Sequence, residues 1–378
     1  MKLHSLFALL LTVGAMCPPV GAQAQPKPQS QAKMPEIKVR RLSPRAAMFN
    51  LSSVYGAVGV LALATQKGIV VVDAPVNMDI AKAVRDAIQA EFKRGDFVYL
   101  VNSHGHGDHT GGNGAYADLP IVGHELERKS MLNQIAIMRA YFLKNDPMML
   151  ETPQFTLYEK AMPKAIEPTQ DAQNEETLKR AAAYFRQGLV AVPPTITFDD
   201  RLTLDLGDVT VRLIYFGHAH SPTDTIISVP EENLAITGSL FFPGQVPILG
   251  VRGKPVDTGL AVPPSMPQPQ VVDNWLAVLR TLISQANDST QFIPCHGDVY
   301  MKKADIQQFH SYLEKLWSEV RRLKAEGKTL EQTKAALPLK ERFPEAANLQ
   351  DERNRGNAYE TLGIHQYNVE FLWKTLEK

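Results

Sequence analysis

Cysteine is almost absent from this chain: its 378 residues contain two, Cys17 and Cys295. So few thiols exclude a disulfide-stapled scaffold and a sulfur-rich metal site. Charge of one sign is missing as well, since Lys plus Arg and Asp plus Glu each number 40 and the formal net charge is zero. That balance leaves no electrostatic footprint for nucleic acid or an anionic membrane, and a small or neutral partner fits better. Nor does any apolar run reach the roughly 20 residues that a membrane-spanning helix needs. Finally, no Gly-x-Ser-x-Gly elbow occurs, which argues against a serine nucleophile of that type.

Hydrophobic mass is present, at 44% of residues, enough for a substantial core. The first residues read MKLHSLFALLLTVGAMCPPVGAQAQ: Lys2 leads an apolar run from Leu6 to Met16, and Ala22-Gln23-Ala24 forms a small-residue cleavage site. Residues 1–24 therefore read as an export signal, and the mature chain is expected in the periplasm or secreted, with no membrane attachment after cleavage. Cys17 leaves with the signal, so the mature chain has no intramolecular disulfide. Residues 25–45, rich in Pro, Gln and Lys, read as a flexible lead-in, and one folded domain is expected over 46–378.

Apolar runs rich in Val and Ile, MFNLSSVY, GVLALAT, GIVVVDAP and FVYLVNS, predict a first block of strands. A helix is expected between the last two, over residues 77–93, with Ala83, Val84, Ala87 and Ile88 on its apolar face. Residues of about 125–194 interrupt the alternation and read as a helical insertion, with helices over 126–144 and 175–187. The runs TITF, RLTLDL, VTVRLIYF, TIISV and NLAITG, and later QFIPC, predict a second block of strands. Helices follow over 271–285 and from 302 toward the end, about 302–378, with Phe309, Leu313, Leu316, Val320 and Leu323 on one face. Two strand blocks each closed by helices imply an α/β fold: two mixed sheets packed face to face with helices outside, a four-layer αββα sandwich plus the helical insertion.

The densest chemistry lies in NSHGHGDHTGGNG, where three of the ten histidines and an aspartate fall between His104 and His109. Gly105 and Gly107 make the segment a poor helix. In an extended segment residues two apart point the same way, so His104 and His106 can converge on one ion while Asp108 and His109 face a neighbouring position. Neutral imidazole and carboxylate suit Zn²⁺, and catalytic zinc sites keep three protein ligands and a place for water. A solvated turn with incidental histidines is the competing reading, which ligand spacing and density disfavour.

SHGHGDHTGG resembles the H-x-H-x-D-H signature of the metallo-β-lactamase superfamily. In that family a further ligand lies in a segment resembling G-H-T/S-P-x-D, and YFGHAHSPTDT offers His218 and His220; the following Ser-Pro-Thr-Asp favours His220 and leaves His218 as a pocket residue. The last family ligand sits in a P-x-H-G segment, which IPCHGD matches with His296. The resemblance implies two zinc ions per chain, one held by His104, His106 and His220, the other by Asp108, His109 and His296. It also implies that Asp73, at the end of GIVVVDAP, orients the ligands from behind, with a strand-end turn residue as the competing reading, and Asp224 is read as orienting them too or as a turn former. Many family hydrolases carry a metal-bridging Asp where TGSLFFPG has Ser239; Ser239 together with His109 resembles the true metallo-β-lactamases that keep His after the motif Asp. Those have a second Ser two places on that helps hold a substrate carboxylate, and this chain has Phe241.

The implied function is hydrolysis of a small carbonyl compound by water activated between the metals, with Asp108 orienting the nucleophile. A β-lactam-like amide comes first as substrate, with lactone, ester and thioester beside it. Met131, Ile135, Met138, Tyr141 and Phe142 of the insertion are expected either to cap an apolar pocket or simply to pack. Two alternatives from other classes are a mononuclear iron dioxygenase of the same fold and a non-catalytic periplasmic metal-binding protein.

Overall fold

Glycine and Asp-rich turns punctuate the strands, and the two blocks close into two sheets. The structure, a computed structural model, describes residues 36–51, 58–75, 78–131, 191–241, 249, 268–297, 300–347 and 361–376. The first sheet runs in sequence order: β1 (Ile37–Arg41), β2 (Ala46–Leu51), β3 (Gly59–Thr65), β4 (Gly68–Val72), β5 (Phe97–Val101), β6 (Ile121–His124) and β7 (Ile196–Phe198). Its first four strands form an antiparallel meander, and β4 to β7 pair in parallel. The second sheet comprises β8 (Arg201–Asp205), β9 (Thr210–Tyr215), β10 (Thr225–Val229), β11 (Leu234–Ile236) and β12 (Gln291–Ile293), in the order β12-β11-β10-β9-β8. Only β11 and β12 pair in parallel there.

Alternation along the strands builds the layers. Met48, Leu61, Leu63, Val70, Val72 and Val101 of the first sheet meet Leu213, Ile227, Ile236 and Ile293 of the second in one buried cluster. Helix α1 (Met78–Phe92) covers the other face of the first sheet, burying Ile80, Ala81, Val84 and Ile88 and packing on β2 and β3. After a single turn, α2 (Gly107–Thr110), come α3 (Gln268–Gln285) and α4 (Lys303–Ala325). Their faces, including Trp275, Leu279, Phe309 and Leu313, pack with Ile226, Ala235 and Phe292 of the second sheet. Short helices α5 (Leu330–Ala336), α6 (Leu339–Arg342) and α7 (Pro344–Ala347) and a closing α8 (Thr361–Thr375) finish the chain; α8 packs on α4 and α5. The result is the expected helix–sheet–sheet–helix order. Burial of each such Val, Leu, Ile or Phe contributes about 1.5–3 kcal/mol.

Three sequence readings need correction. Residues 37–41, placed in the flexible lead-in, form edge strand β1 against β2, because backbone pairing rather than composition decides an edge strand. The TITF run, assigned to the second block, supplies β7 of the first sheet. A parallel neighbour needs a crossover of a dozen or more residues, and the insertion after β6 is that crossover. The third concerns the motif segment, where α2 begins at Gly107. The export signal, the second insertion helix and the first beyond residue 131, with Ile135, Met138, Tyr141 and Phe142, lie outside the described residues; residues 127–131 are helical as expected, and Met131 is fully buried.

The parallel strands aim their C-terminal ends at one rim. Asp73 follows β4, Ser103 and His104 follow β5, Ser239 follows β11 and His296 follows β12. Backbone bonds join the sheets there: Thr225 N–H donates to the Ser103 carbonyl at 2.8 Å, and Gly59 N–H to the Cys295 carbonyl at 2.7 Å.

Candidate metal centre

The motif divides at Gly107. His104 to His106 leave β5 extended, and then the N–H groups of His109 and Thr110 return to the His106 carbonyl at 3.0 and 3.1 Å to open α2. The turn sets Asp108 and His109 side by side on the rim. A Cβ on Gly105 would lie 2.7 Å from the Cβ of Ser130, so glycine is what lets the helical residues 127–131 pack on the motif loop.

Two donor sets result. In the first, His104, His106 and His220, donor atoms lie within 4.8 Å of one another, with His106 Nδ1 and His220 Nε2 3.2 Å apart. In the second, Asp108, His109 and His296, the two Nε2 atoms approach to 3.1 Å, and Asp108 Oδ2 lies 3.3 and 3.6 Å from them. Donors bound to one tetrahedral zinc at about 2.0–2.1 Å sit about 3.3–3.4 Å apart, so the His106–His220 pair and the three pairs of the second set have the spacing of donors around one ion. His104 Nε2 is buried and has no hydrogen-bond partner among the described residues, which costs stability unless a cation takes the lone pair. The residues fit zinc. A third grouping, His104, His109 and Cys295, is wholly buried and reuses one histidine from each set. Burial pushes its thiol up to about 11, so Cys295 is a packed thiol rather than a ready ligand.

Protonation follows the same pattern. Burial, reinforced by neighbouring imidazoles, holds His104 and His220 well below the ordinary histidine value. Burial also lowers His106 to about 4. For Asp108, burial raises the pKa but the His109, His296 and His106 imidazoles outweigh it and keep the carboxylate ionised. Burial likewise opposes charge on His109, and adjacent Asp108 outweighs it, so a proton stays where a cation would sit.

Behind the donors stands Asp73. Its backbone takes φ of 67°, a left-handed conformation that Asp tolerates better than most residues. Its Oδ1 accepts the Ser103 N–H at 2.7 Å and its Oδ2 accepts the Ser103 hydroxyl at 2.8 Å, while Oδ2 also lies 3.3 Å from His109 Nδ1. Asp224 organises the turn carrying His220: Oδ2 accepts the N–H groups of Ser221 and Ala219, and Oδ1 accepts the Ser221 hydroxyl at 2.6 Å. Burial raises it to about 6 against these hydrogen bonds.

His218 is half-buried, at about 4 through burial, with its carbonyl bonded to Asn274. Ser239 is buried and its hydroxyl has no partner among the described residues. Phe241 is 1% exposed and its ring packs among Phe292 and Phe309, because a large aromatic there completes the core under α3 and α4.

Sequence reasoning missed several supports. Thr223 Oγ1 accepts the Gly105 N–H at 2.9 Å, joining the two loops of the first donor set. Asn274 Nδ2 donates to the carbonyls of Phe216 and His218, and Trp275 Nε1 to the Leu240 carbonyl. Ser103, beside the motif, was the one support with a positional signal.

Residues 54–296 match the metallo-beta-lactamase superfamily, and the chain belongs to that superfamily. Its fold is shared with the sec-alkylsulfatase Pisa1 from Pseudomonas sp., at 14% identity and a TM-score of 0.60, over 89% of this chain and 50% of that one. A beta-lactamase domain protein from Burkholderia ambifaria is similar at 15% identity and a TM-score of 0.53, over 90% of this chain and 87% of that one. A metallo-beta-lactamase from Pontibacter korlensis aligns at 14% identity and a TM-score of 0.46, over 74% and 99%. No curated protein matches the sequence.

Proposed function

We propose that the chain is an exported hydrolase of a small carbonyl compound that works with two zinc ions, one at His104, His106 and His220 and one at Asp108, His109 and His296. The observation that carries this reading is the adjacency of the two donor sets: the rings of His104 and His109 are 4.5 Å apart between centroids, one from each set. Zinc held there would polarise the carbonyl, bring water toward a near-neutral pKa and stabilise the departing atom. The chain's own residues supply the rest. The neutral imidazoles of His104, His106 and His220 present lone pairs, and the ionised Asp108, whose side chain is 29% exposed, orients the attacking water by accepting its hydrogen bond.

A β-lactam-like amide is the first substrate class, on the His109 and Ser239 pattern. The burial of Phe241 favours a second reading, a lactone, ester or thioester, because that position offers no hydroxyl to a substrate carboxylate. The test is turnover of a chromogenic cephalosporin, a lactone, an aryl ester and a thioester by the zinc-loaded chain without residues 1–24, beside His106→Ala. Metal-dependent cephalosporin turnover lost in H106A supports the amide; turnover of the esters alone supports the second reading. One iron per chain would move the assignment to an oxygenase, and two bound zincs without turnover to a metal-binding protein. Export is tested separately, by N-terminal sequencing of periplasmic or secreted protein, which should begin at Gln25.

A further inference from the structure

We infer that Ser103 is a positioning residue that sets the tautomer of His104 and so readies one donor set for its ion, leaving the other set unaffected. The inference rests on the proposed metal reading and deepens it.

A serine hydroxyl has one proton and two lone pairs, and a carboxylate only accepts. The Ser103 proton therefore goes to Asp73 Oδ2, 2.8 Å away. A lone pair then faces His104 Nδ1 at 3.0 Å, so Nδ1 carries the imidazole proton and Nε2 keeps its lone pair. That Nε2 is a buried atom with no hydrogen-bond partner among the described residues. Cys295 Sγ, at 3.4 Å, faces the second lone pair and completes the hydroxyl's inventory.

Ser103 is held on every side. Its N–H donates to Asp73 Oδ1 at 2.7 Å and its carbonyl accepts from Thr225 at 2.8 Å. Gly238, at φ of 57°, passes so close that a Cβ there would lie 3.3 Å from the hydroxyl and 3.6 Å from His104 Nδ1. Selectivity follows from connectivity: among the described residues Asp73 faces His109 itself, whereas it is joined to His104 through Ser103.

The experiment titrates zinc into metal-free mature wild type, Ser103→Ala and Ser103→Thr against a chromophoric chelator, with melting temperatures recorded. Wild type should take two equivalents. In S103A one equivalent should bind as in wild type and the other roughly 10- to 100-fold more weakly, as when partners behind a ligand are removed; S103T, which keeps the hydroxyl, should restore it. Long-range ¹H–¹⁵N correlations of metal-free wild type should place the His104 proton on Nδ1, a reading that does not depend on S103A folding. Equal weakening of both equivalents, unchanged binding in S103A, or a proton on Nε2 would overturn the inference. Wild type that binds no zinc would instead sink the metal reading, and the tautomer would still be decided by the correlations.

Discussion

His109 and His296 bring their Nε2 atoms to 3.1 Å across 187 residues of chain. One stands on the turn after β5 and the other beyond β12, so the approach exists only because the two sheets share a rim. The pair is at hydrogen-bond distance while His109 holds its proton, and a shared cation would take that proton's place.

Replacing His296 with Ala should therefore remove one metal equivalent and leave the other. Metal analysis after dialysis checks this, and retention of both equivalents would count against His296 as a ligand.

Metal removal should lower stability, because the donors converge only in the folded chain. Zinc at about 100 times its Kd adds about 2.7 kcal/mol, which chelation removes. Thermal melts with and without a chelator should differ by several degrees, and coincident melts would contradict the prediction.

Asp73 separates backbone from chemistry. Asp73→Asn keeps a residue that tolerates φ of 67° but loses a carboxylate oxygen shared by Ser103 and His109. It should melt near wild type while binding zinc roughly 10- to 100-fold more weakly; Asp73→Ala should also lose about 1–2 kcal/mol to the left-handed backbone. Equal melting of the two variants would show that the conformation carries no cost.

Cys295 should resist alkylation in the folded mature chain near neutral pH, since it is 2% exposed and raised by burial to about 11. The sign is that of a raised acid: its contribution to stability is complete below the ordinary value of 9.0 and is lost as pH rises through about 11. Labelling by iodoacetamide at pH 7.5 without denaturant would refute this.

Asn274→Leu keeps the volume and strips the donor from the carbonyls of Phe216 and His218. A loss of about 1–3 kcal/mol is expected for unsatisfied buried groups, read as a lower denaturant midpoint with unchanged slope.

Much of this was legible in the chain. Val- and Ile-rich runs identified most strands, since burial on both faces leaves a strong local pattern. The ligand motif was legible because its donors crowd into six residues. Edge strand β1 was not, because pairing partners rather than composition make it a strand, and β7 was misassigned because its parallel neighbour β6 lies across a long crossover. Ser103, Asn274 and Trp275 carried little or no signal, since a serine, asparagine or tryptophan becomes a support only through what stands opposite it.

The sequence by itself determined the donor chemistry: imidazoles and a carboxylate at ligand spacing, sulfur set aside, on a chain of zero formal net charge. Coordination preference depends on residue type and local spacing, which the linear order already contains. Only the tertiary structure decided which donors stand together and what stands behind each imidazole. His106 meets His220, His109 meets His296, and Asp73 governs His104 through Ser103 because strand ends from both sheets converge on one rim.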